Sequence, residues 1–281
     1  MPYRCPICTN ALLLDASSKS YHCANNHHFD LAKQGYLNLL PVQHKNSKQP
    51  GDSKEMLQAR RNFLEAGYFQ NLATSLAITI DEQTSQLQSI NLLDLGCGEG
   101  YYSRQIASFF SAKKLLKLYG LDIAKTAVAM AAHKQPFGQF TVASFLRLPY
   151  LDDYFDLLLR VFAPSNAEEI YRVLKPSGLL LTVTPGPRHL WQLKELIYQE
   201  ARTHEIEAEL AKGFHTITTQ RLHAAITPTV EQRMALLQMT PFSWRANDEA
   251  VNAIKESNEL SIETDFIISL SKKISDADSQ H

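Results

Sequence analysis

Two groups of residues have types and spacings that could do chemistry. The first is Cys5-Pro6-Ile7-Cys8, followed after fourteen residues by Cys23 and then by His27. Three thiolates and an imidazole are a ligand set that zinc favours, and two ligand pairs on facing turns can close a tetrahedron. His22 and His28 flank the fourth position. His27 is preferred because C-x-x-x-H gives the second turn room to point back at the metal. Four protein ligands close the site, so the zinc would be structural; the alternative is three incidental cysteines in a small apolar lobe. The second group is Asp94-Leu95-Gly96-Cys97-Gly98-Glu99-Gly100-Tyr101-Tyr102, preceded by Leu92 and Leu93. An apolar strand running into a glycine turn and a helix is the geometry of a nucleotide-type cofactor site. A dinucleotide fingerprint needs its third glycine three positions after Gly98, where Tyr101 stands, so the pyrophosphate reading fails. Asp94 and Glu99 suit a cationic ligand better than a phosphate. The bland alternative is a glycine turn that serves packing alone.

The pattern D-x-G-x-G-x-G resembles motif I of the class I S-adenosylmethionine-dependent methyltransferases. That resemblance implies an α/β fold with a seven-stranded, mostly parallel, doubly wound sheet whose last strand is antiparallel, and S-adenosylmethionine as cofactor. The elements needed to position such a site can be read in order. A helix over Tyr101 to Phe110 follows the turn, and Leu115 to Ile123 is a second strand. Asp122 ends it 22 residues after Gly100, where a doubly wound unit sets an acid on ribose hydroxyls. An N-cap role for the helix Lys125 to His133 is the alternative. Gln139 to Ala143 is a third strand, and Ser144 at its end lies where this fold usually holds the adenine, with backbone as the alternative contact. Tyr154 to Val161 is a fourth. Its end faces the methyl group in class I enzymes, so Arg160 and Phe162 should border the target base, with Tyr102 as a further aromatic. Glu168 to Leu174 is a helix, Leu179 to Thr184 a fifth strand and Leu190 to Ala201 a helix. Strands near His215 to Ile226 and Ser261 to Leu270, around a helix at Val230 to Met239, complete the seven. Leu236, Leu237, Met239, Phe242 and Trp244 read as core.

Twenty-eight Lys and Arg against 29 Asp and Glu leave a net charge of −1, but the distribution is uneven. Residues 1–61 carry eight basic side chains and four acids, so the front is basic by four and the remainder acidic by five. Lys45, Lys48, Lys54, Arg60 and Arg61 could track a phosphate backbone, and a solvated linker explains them as well. No apolar run reaches the ~18 residues of a membrane span, and no signal-peptide core follows Met1, so a cytoplasmic protein with no membrane partner is expected. The expected organisation is a zinc lobe over 1–42, a basic linker and helix over 43–66, a methyltransferase domain over 67–271 and a disordered tail over 272–281.

The zinc pattern joined to Phe29-Asp30, Gly35 to Lys45, Pro50-Gly51-Asp52-Ser53 and Gln58-Ala59-Arg60-Arg61 resembles the bacterial 23S rRNA (guanine-N1)-methyltransferases, a family with macrolide-resistance members. The likeness continues through Asp94 to Tyr102, Ala163-Pro164, Thr184 to Leu190 and Leu236 to Phe242, nearly the whole chain. It implies an RNA-recognising zinc lobe and methyl transfer to N1 of a guanine in a hairpin loop of 23S rRNA. It also places His189 at the cofactor site, where a capping role for the following helix is the alternative. Phe69 stands where some members carry tyrosine, so stacking is retained without a hydroxyl contact. A ring-nitrogen target agrees with the residues: no D/N-P-P-Y/F sequence follows the fourth strand, and no cysteine faces the site for covalent attack on a pyrimidine. No side chain stands out as acceptor of the N1 proton, and pairing of two chains as a homodimer is left open. Two other classes compete. A small-molecule or quinone-type methyltransferase would share the glycine turn but not the zinc lobe, and a non-catalytic zinc RNA-binding module would lack use for the cofactor residues.

Overall fold

A computed structural model describes residues 2–44, 51–111, 115–205 and 213–274. The front is a three-stranded antiparallel sheet of β1 (Leu13–Asp15), β2 (Ser20–His22) and β3 (His28–Asp30). Strands this short bury little; Cys5 and Cys8 lie in the turn before β1, and Cys23 and His27 in the turn between β2 and β3. β4 (Tyr36–Asn38) then leaves this sheet and joins a larger one.

The larger sheet has eight strands in the order β10-β11-β9-β8-β5-β6-β7-β4. Its members are β5 (Ser89–Leu95), β6 (Leu115–Asp122), β7 (Gln139–Val142), β8 (Phe155–Val161), β9 (Leu174–Pro185), β10 (Phe214–Ile226) and β11 (Ile262–Lys273). These seven are the strands expected of a class I methyltransferase, and β11 runs against its neighbours β9 and β10. β4 is an eighth, added to the edge parallel to β7 with Tyr36 opposite Phe140. The helices are α1 (Lys54–Glu65), α2 (Gln70–Gln83), α3 (Tyr101–Phe110), α4 (Lys125–Lys134), α5 (Ala167–Val173), α6 (Trp191–Ile197), α7 (Val230–Gln238) and α8 (Asp248–Glu256). Helices cover both faces of the sheet, so Leu92, Leu93, Leu157, Leu158 and Leu159 are all fully buried.

Several boundaries differ from those read in the sequence. β9 starts at Leu174, directly after α5, because the Lys175–Gly178 stretch is absorbed into the strand as an irregularity with Ser177 at φ +61°. α6 ends at Ile197, where Tyr198 turns extended. α8 was not expected, although Asn247 caps it by accepting from Ala250 N–H and acids fill its first turn. Trp244, expected in the core, is 77 % exposed: the short 3-10 turn Pro241–Trp244 faces it outward while Leu236 and Leu237 stay buried. Lys272 and Lys273 belong to β11, and Lys273 Nζ is buried on Leu174 O at 2.6 Å; residues 275–281 lie outside the described set.

The front lobe is stitched to the sheet at two places. Leu39 N–H donates to Val142 O at 2.8 Å, continuing β4 along β7. Arg4 N–H donates to Pro149 O and Leu151 N–H to Pro2 O, while the Tyr3 ring stacks on Tyr150 at 5.7 Å. Tyr3, Leu37 and Leu39 are all buried by this contact, so the lobe shares the core of the body.

Candidate active site and metal centre

The metal centre is built by two turns. Thr9 N–H closes the first on Cys5 O, and Asn26 N–H closes the second on Cys23 O. Thr9 at φ +64° and Asn26 at φ +56° take the left-handed conformation that makes each turn tight. The ligand atoms of Cys5, Cys8, Cys23 and His27 lie within 4.8 Å of one another. Cys8 Sγ is 3.5 Å from Cys23 Sγ, and His27 Nδ1 is 3.3 Å from Cys23 Sγ and 3.6 Å from Cys5 Sγ. Ligands about 2.3 Å from a tetrahedral ion sit about 3.7 Å apart, so the four atoms fit zinc. His22 and His28 pair across β2 and β3 with their rings stacked at 5.8 Å, which leaves the fourth ligand position to His27.

The cofactor cradle lies at the carboxyl end of β5. Gly96, Gly98 and Gly100 have φ of +76°, +56° and +83°. A Cβ at Gly96 would meet Ala163 Cβ at 2.4 Å and one at Gly100 would meet Ala131 Cβ at 3.0 Å, so these two glycines admit neighbouring protein. Gly98 alone faces open ground, with Arg60 Nη1 as the nearest atom at 3.6 Å. Its N–H donates to Asp122 Oδ2 at 2.9 Å, and Ala124 N–H donates to Oδ1 at 2.8 Å. Asp122 thus braces the turn, and each oxygen keeps a lone pair for a ribose hydroxyl. Burial raises its pKa; the Asp52 charge adds to this and the Arg60 charge opposes it.

The two acids of the turn face the protein. Asp94 is buried and accepts from Ser103 Oγ at 2.5 Å; burial lifts its pKa to about 7. Glu99 is 1 % exposed and its charge is answered by two arginines of the chain, Arg61 at 3.3 Å and Arg104 at 3.2 Å. Arg104 continues to Glu65 on α1, so an ionic strut ties α1 to the turn and to α3. Tyr101 OH donates to Gln70 Oε1 at 3.1 Å, and the Tyr102 ring meets the Tyr101 ring edge-on at 5.2 Å. Ser144 Oγ, at the end of β7, accepts from Leu146 N–H.

The side facing the expected target is aromatic. Phe162, at φ +53° just after β8, is 43 % exposed, and its ring stacks on His189 at 5.6 Å. Phe69 and Phe266 meet edge-on at 5.0 Å behind this pair. His189 Nδ1 accepts from Asp265 N–H at 3.2 Å, which leaves the ring proton on Nε2; burial lowers its pKa to about 3. α6 begins after Leu190, a left-handed cap residue whose side chain makes no capping bond, and the His189 ring is engaged with Asp265 rather than with the helix end. Arg160 donates to Ser165 Oγ at 2.9 Å. Arg188 is turned away, forked onto Glu263 and lying over the Trp191 ring.

Asp265, Arg221 and the inward face of α1 carry no local sequence signature of their roles, and Asp52 shows in the sequence only as part of a motif. Asp265 is wholly buried, holds Arg221 at 2.7 Å and 2.8 Å, and accepts from Arg188 N–H. An acid inside the apolar run Ile262 to Leu270 was its one visible signal. Arg60 and Arg61, read as a phosphate track, point inward instead, to Asp52 and Glu99. Lys54 stays exposed, and Lys45 and Lys48 lie outside the described residues.

Two family models match the chain, one described as "RlmA, N-terminal" over residues 3–48 and one described as "Methyltransferase domain" over residues 93–182. A 23S rRNA (guanine(748)-N(1))-methyltransferase of Streptomyces fradiae is 34 % identical over 90 % of this chain and 90 % of its own. A Bacillus subtilis (strain 168) protein named for the 23S rRNA (guanine-N(1)-)-methyltransferases is 30 % identical over 95 % and 96 %. One of Micromonospora griseorubida with the same class name is 30 % identical over 89 % of each. With the Cys/His centre beside the small front sheet and the glycine cradle at the end of β5 in the large one, these matches show that the chain belongs to the 23S rRNA (guanine-N1)-methyltransferase family.

Proposed function

We propose that this chain transfers the methyl group of S-adenosylmethionine to N1 of a guanine in a hairpin loop of 23S rRNA. The observation that carries the reading is the placement of the metal knuckle beside the open end of the sheet. A cavity of about 360 Å³ separates the two, lined by Cys5 and Ile7 of the knuckle, Leu40, and Ser144 and Arg147 of the body, with Arg172 on its wall paired to Glu169. Arg4 and Arg147 with the apolar Ile7 and Leu40 give this gap the mixed basic and apolar lining that a single-stranded loop can use.

When bound, the cofactor would supply an electrophilic methyl carbon. Asp122 and Ser144 would hold its nucleoside, with Phe69 among the surrounding rings. Phe162 offers a free aromatic face on which an unstacked guanine can lie, and its strained backbone presents that face to the site. His189 backs the Phe162 ring and stays neutral, with a hydrogen on Nε2, so it donates there and does not take the N1 proton. Orientation of N1 in line with the methyl carbon is the main service of these groups. A homodimer would present two knuckles to one RNA, and sedimentation of the zinc-loaded chain reads that stoichiometry.

N1 methylation blocks base pairing, so primer extension on 23S rRNA from cells with and without the protein tests the reading. The expected result is a protein-dependent stop at a guanine in a hairpin loop. A stop in neither strain, or one outside a loop, overturns it. Phe162→Ala should lower the methylation rate by about 5- to 150-fold, the size of one base–aromatic stack, and Phe162→Trp should restore most of it.

A further inference from the structure

The segment that enters α1 lies across the cofactor cradle. Gly51, at φ +85°, packs so closely on Ile123 and Ala124 that a Cβ would come within 2.7 Å of Ala124 Cβ. Asp52 is therefore set beside the end of β6, next to Asp122. Arg60 reaches back from α1 and binds Asp52 at 2.5 Å, while its second Nη donates to Met239 O at 3.4 Å. Its guanidinium is also the nearest group to the open ground over Gly98. The two side chains stay 28 % and 33 % exposed, so the pair is not sealed in the core. Arg60 keeps further N–H donors beyond those two bonds.

The amino acid end of S-adenosylmethionine is a zwitterion, a carboxylate beside an ammonium. A guanidinium held against a carboxylate presents the complementary pair of charges. We infer that Arg60 and Asp52 receive this end of the cofactor, Arg60 taking the α-carboxylate and Asp52 the α-ammonium. The inference rests on the cofactor reading above and names two binding residues for it. The strut from Arg61 and Glu99 to Arg104 fixes the height of α1 over the turn, so that Arg60 meets the ligand at Gly98 and not elsewhere. Two atoms of that strut, Arg61 Nη2 and Glu99 Oε1, are buried without a hydrogen-bond partner, at the same junction.

The test is calorimetric and needs no turnover. The zinc-loaded full chain is titrated with S-adenosylhomocysteine and with 5′-methylthioadenosine, which keeps the nucleoside and lacks the amino acid. Arg60→Met should weaken S-adenosylhomocysteine at least tenfold and change methylthioadenosine less than twofold; Arg60→Lys should recover part of the loss, and Asp52→Asn should follow Arg60→Met. Equal weakening of both ligands would mean that Arg60 only supports the fold, and would overturn the inference. Unchanged binding of both, with RNA affinity lost instead, would assign Arg60 to phosphate and overturn it equally. Failure of the unaltered chain to bind S-adenosylhomocysteine would instead overturn the cofactor reading itself.

Discussion

The metal knuckle and the glycine turn solve the same problem, holding a tight backbone turn rigid, by opposite means. The knuckle has three-residue strands and little core, and its two turns are held by side chains whose natural partner is an ion. The glycine turn has no side-chain ligands of that kind. It is held by backbone bonds from Gly96 and Cys97 to Leu121 O, by Asp122 and by Ala163 and Ala131 packed where a Cβ would sit. One region depends on a metal and the other on the sheet beneath it. That difference makes them separable by experiment even though β4 ties the lobe to the edge of the same sheet.

The largest effect should come from the metal. Cys5→Ser or strong chelation removes binding energy that in small zinc domains is about 10 kcal/mol or more, so the knuckle should lose its fold. We expect zinc stoichiometry by atomic emission to fall to near zero and rRNA methylation to drop by about two orders of magnitude or more. Affinity for S-adenosylhomocysteine should change less than tenfold, because Leu39 to Val142 touches only the far edge of the cradle. Loss of cofactor binding together with zinc would erase the contrast.

Gly96→Ala attacks the other region. A left-handed alanine and a Cβ 2.4 Å from Ala163 should together cost about 2–5 kcal/mol. The melting temperature should fall and S-adenosylhomocysteine binding should be lost, while zinc stays stoichiometric.

Acid sharpens the contrast within the body. Folded His189 takes its proton only near pH 3, against 6.5 for the ordinary imidazole. Between those values the unfolded chain holds more protons, so stability is full above about pH 6.5 and falls as pH falls, by up to about 1.4 kcal/mol per unit. Asp94 acts in the opposite sense: its pKa is raised from 3.8 to about 7, so the folded chain holds more protons in that window and gains as pH falls. His189→Gln should flatten the acid loss seen in denaturant titrations from pH 7 to 5, and Asp94→Asn should steepen it.

The smallest effect belongs to the joint between the regions. Arg4 reaches Asp152 at 3.2 Å, but Asp152 is 62 % exposed and is also held by Arg172. Arg4→Ala should cost less than about 1 kcal/mol in denaturant titration, since a screened surface pair contributes little. A larger loss would mean that the lobe is held by charge and not by the buried Tyr3 and Leu37.

Much of this was legible in the chain. The strand before the glycine turn, the acid closing the next strand and the C-x-x-C spacing each follow from local rules: a buried apolar run, a fixed offset and a ligand geometry. What was not legible depends on distant partners. Arg60 and Arg61 look like a basic patch until Asp52 and Glu99 turn them inward. Glu99 looks like a cofactor contact, and the sequence does not show that Arg61 and Arg104 also hold its carboxylate. β4 falls within the stretch assigned to the zinc lobe, and only the pairing of Tyr36 with Phe140 makes it part of the body. Trp244 reads as core, yet a 3-10 turn faces it outward.

On the proposed function, the cradle holds the methyl donor and the knuckle engages the 23S rRNA that carries the target guanine. This is tested most directly by incubating the purified zinc-loaded chain with isotopically labelled S-adenosylmethionine and unmethylated 23S rRNA, then digesting the RNA to nucleosides for mass spectrometry. The account predicts label in 1-methylguanosine, about one per rRNA molecule, and none after Cys5→Ser. Label at any other nucleoside, or transfer that survives loss of the zinc, would contradict it.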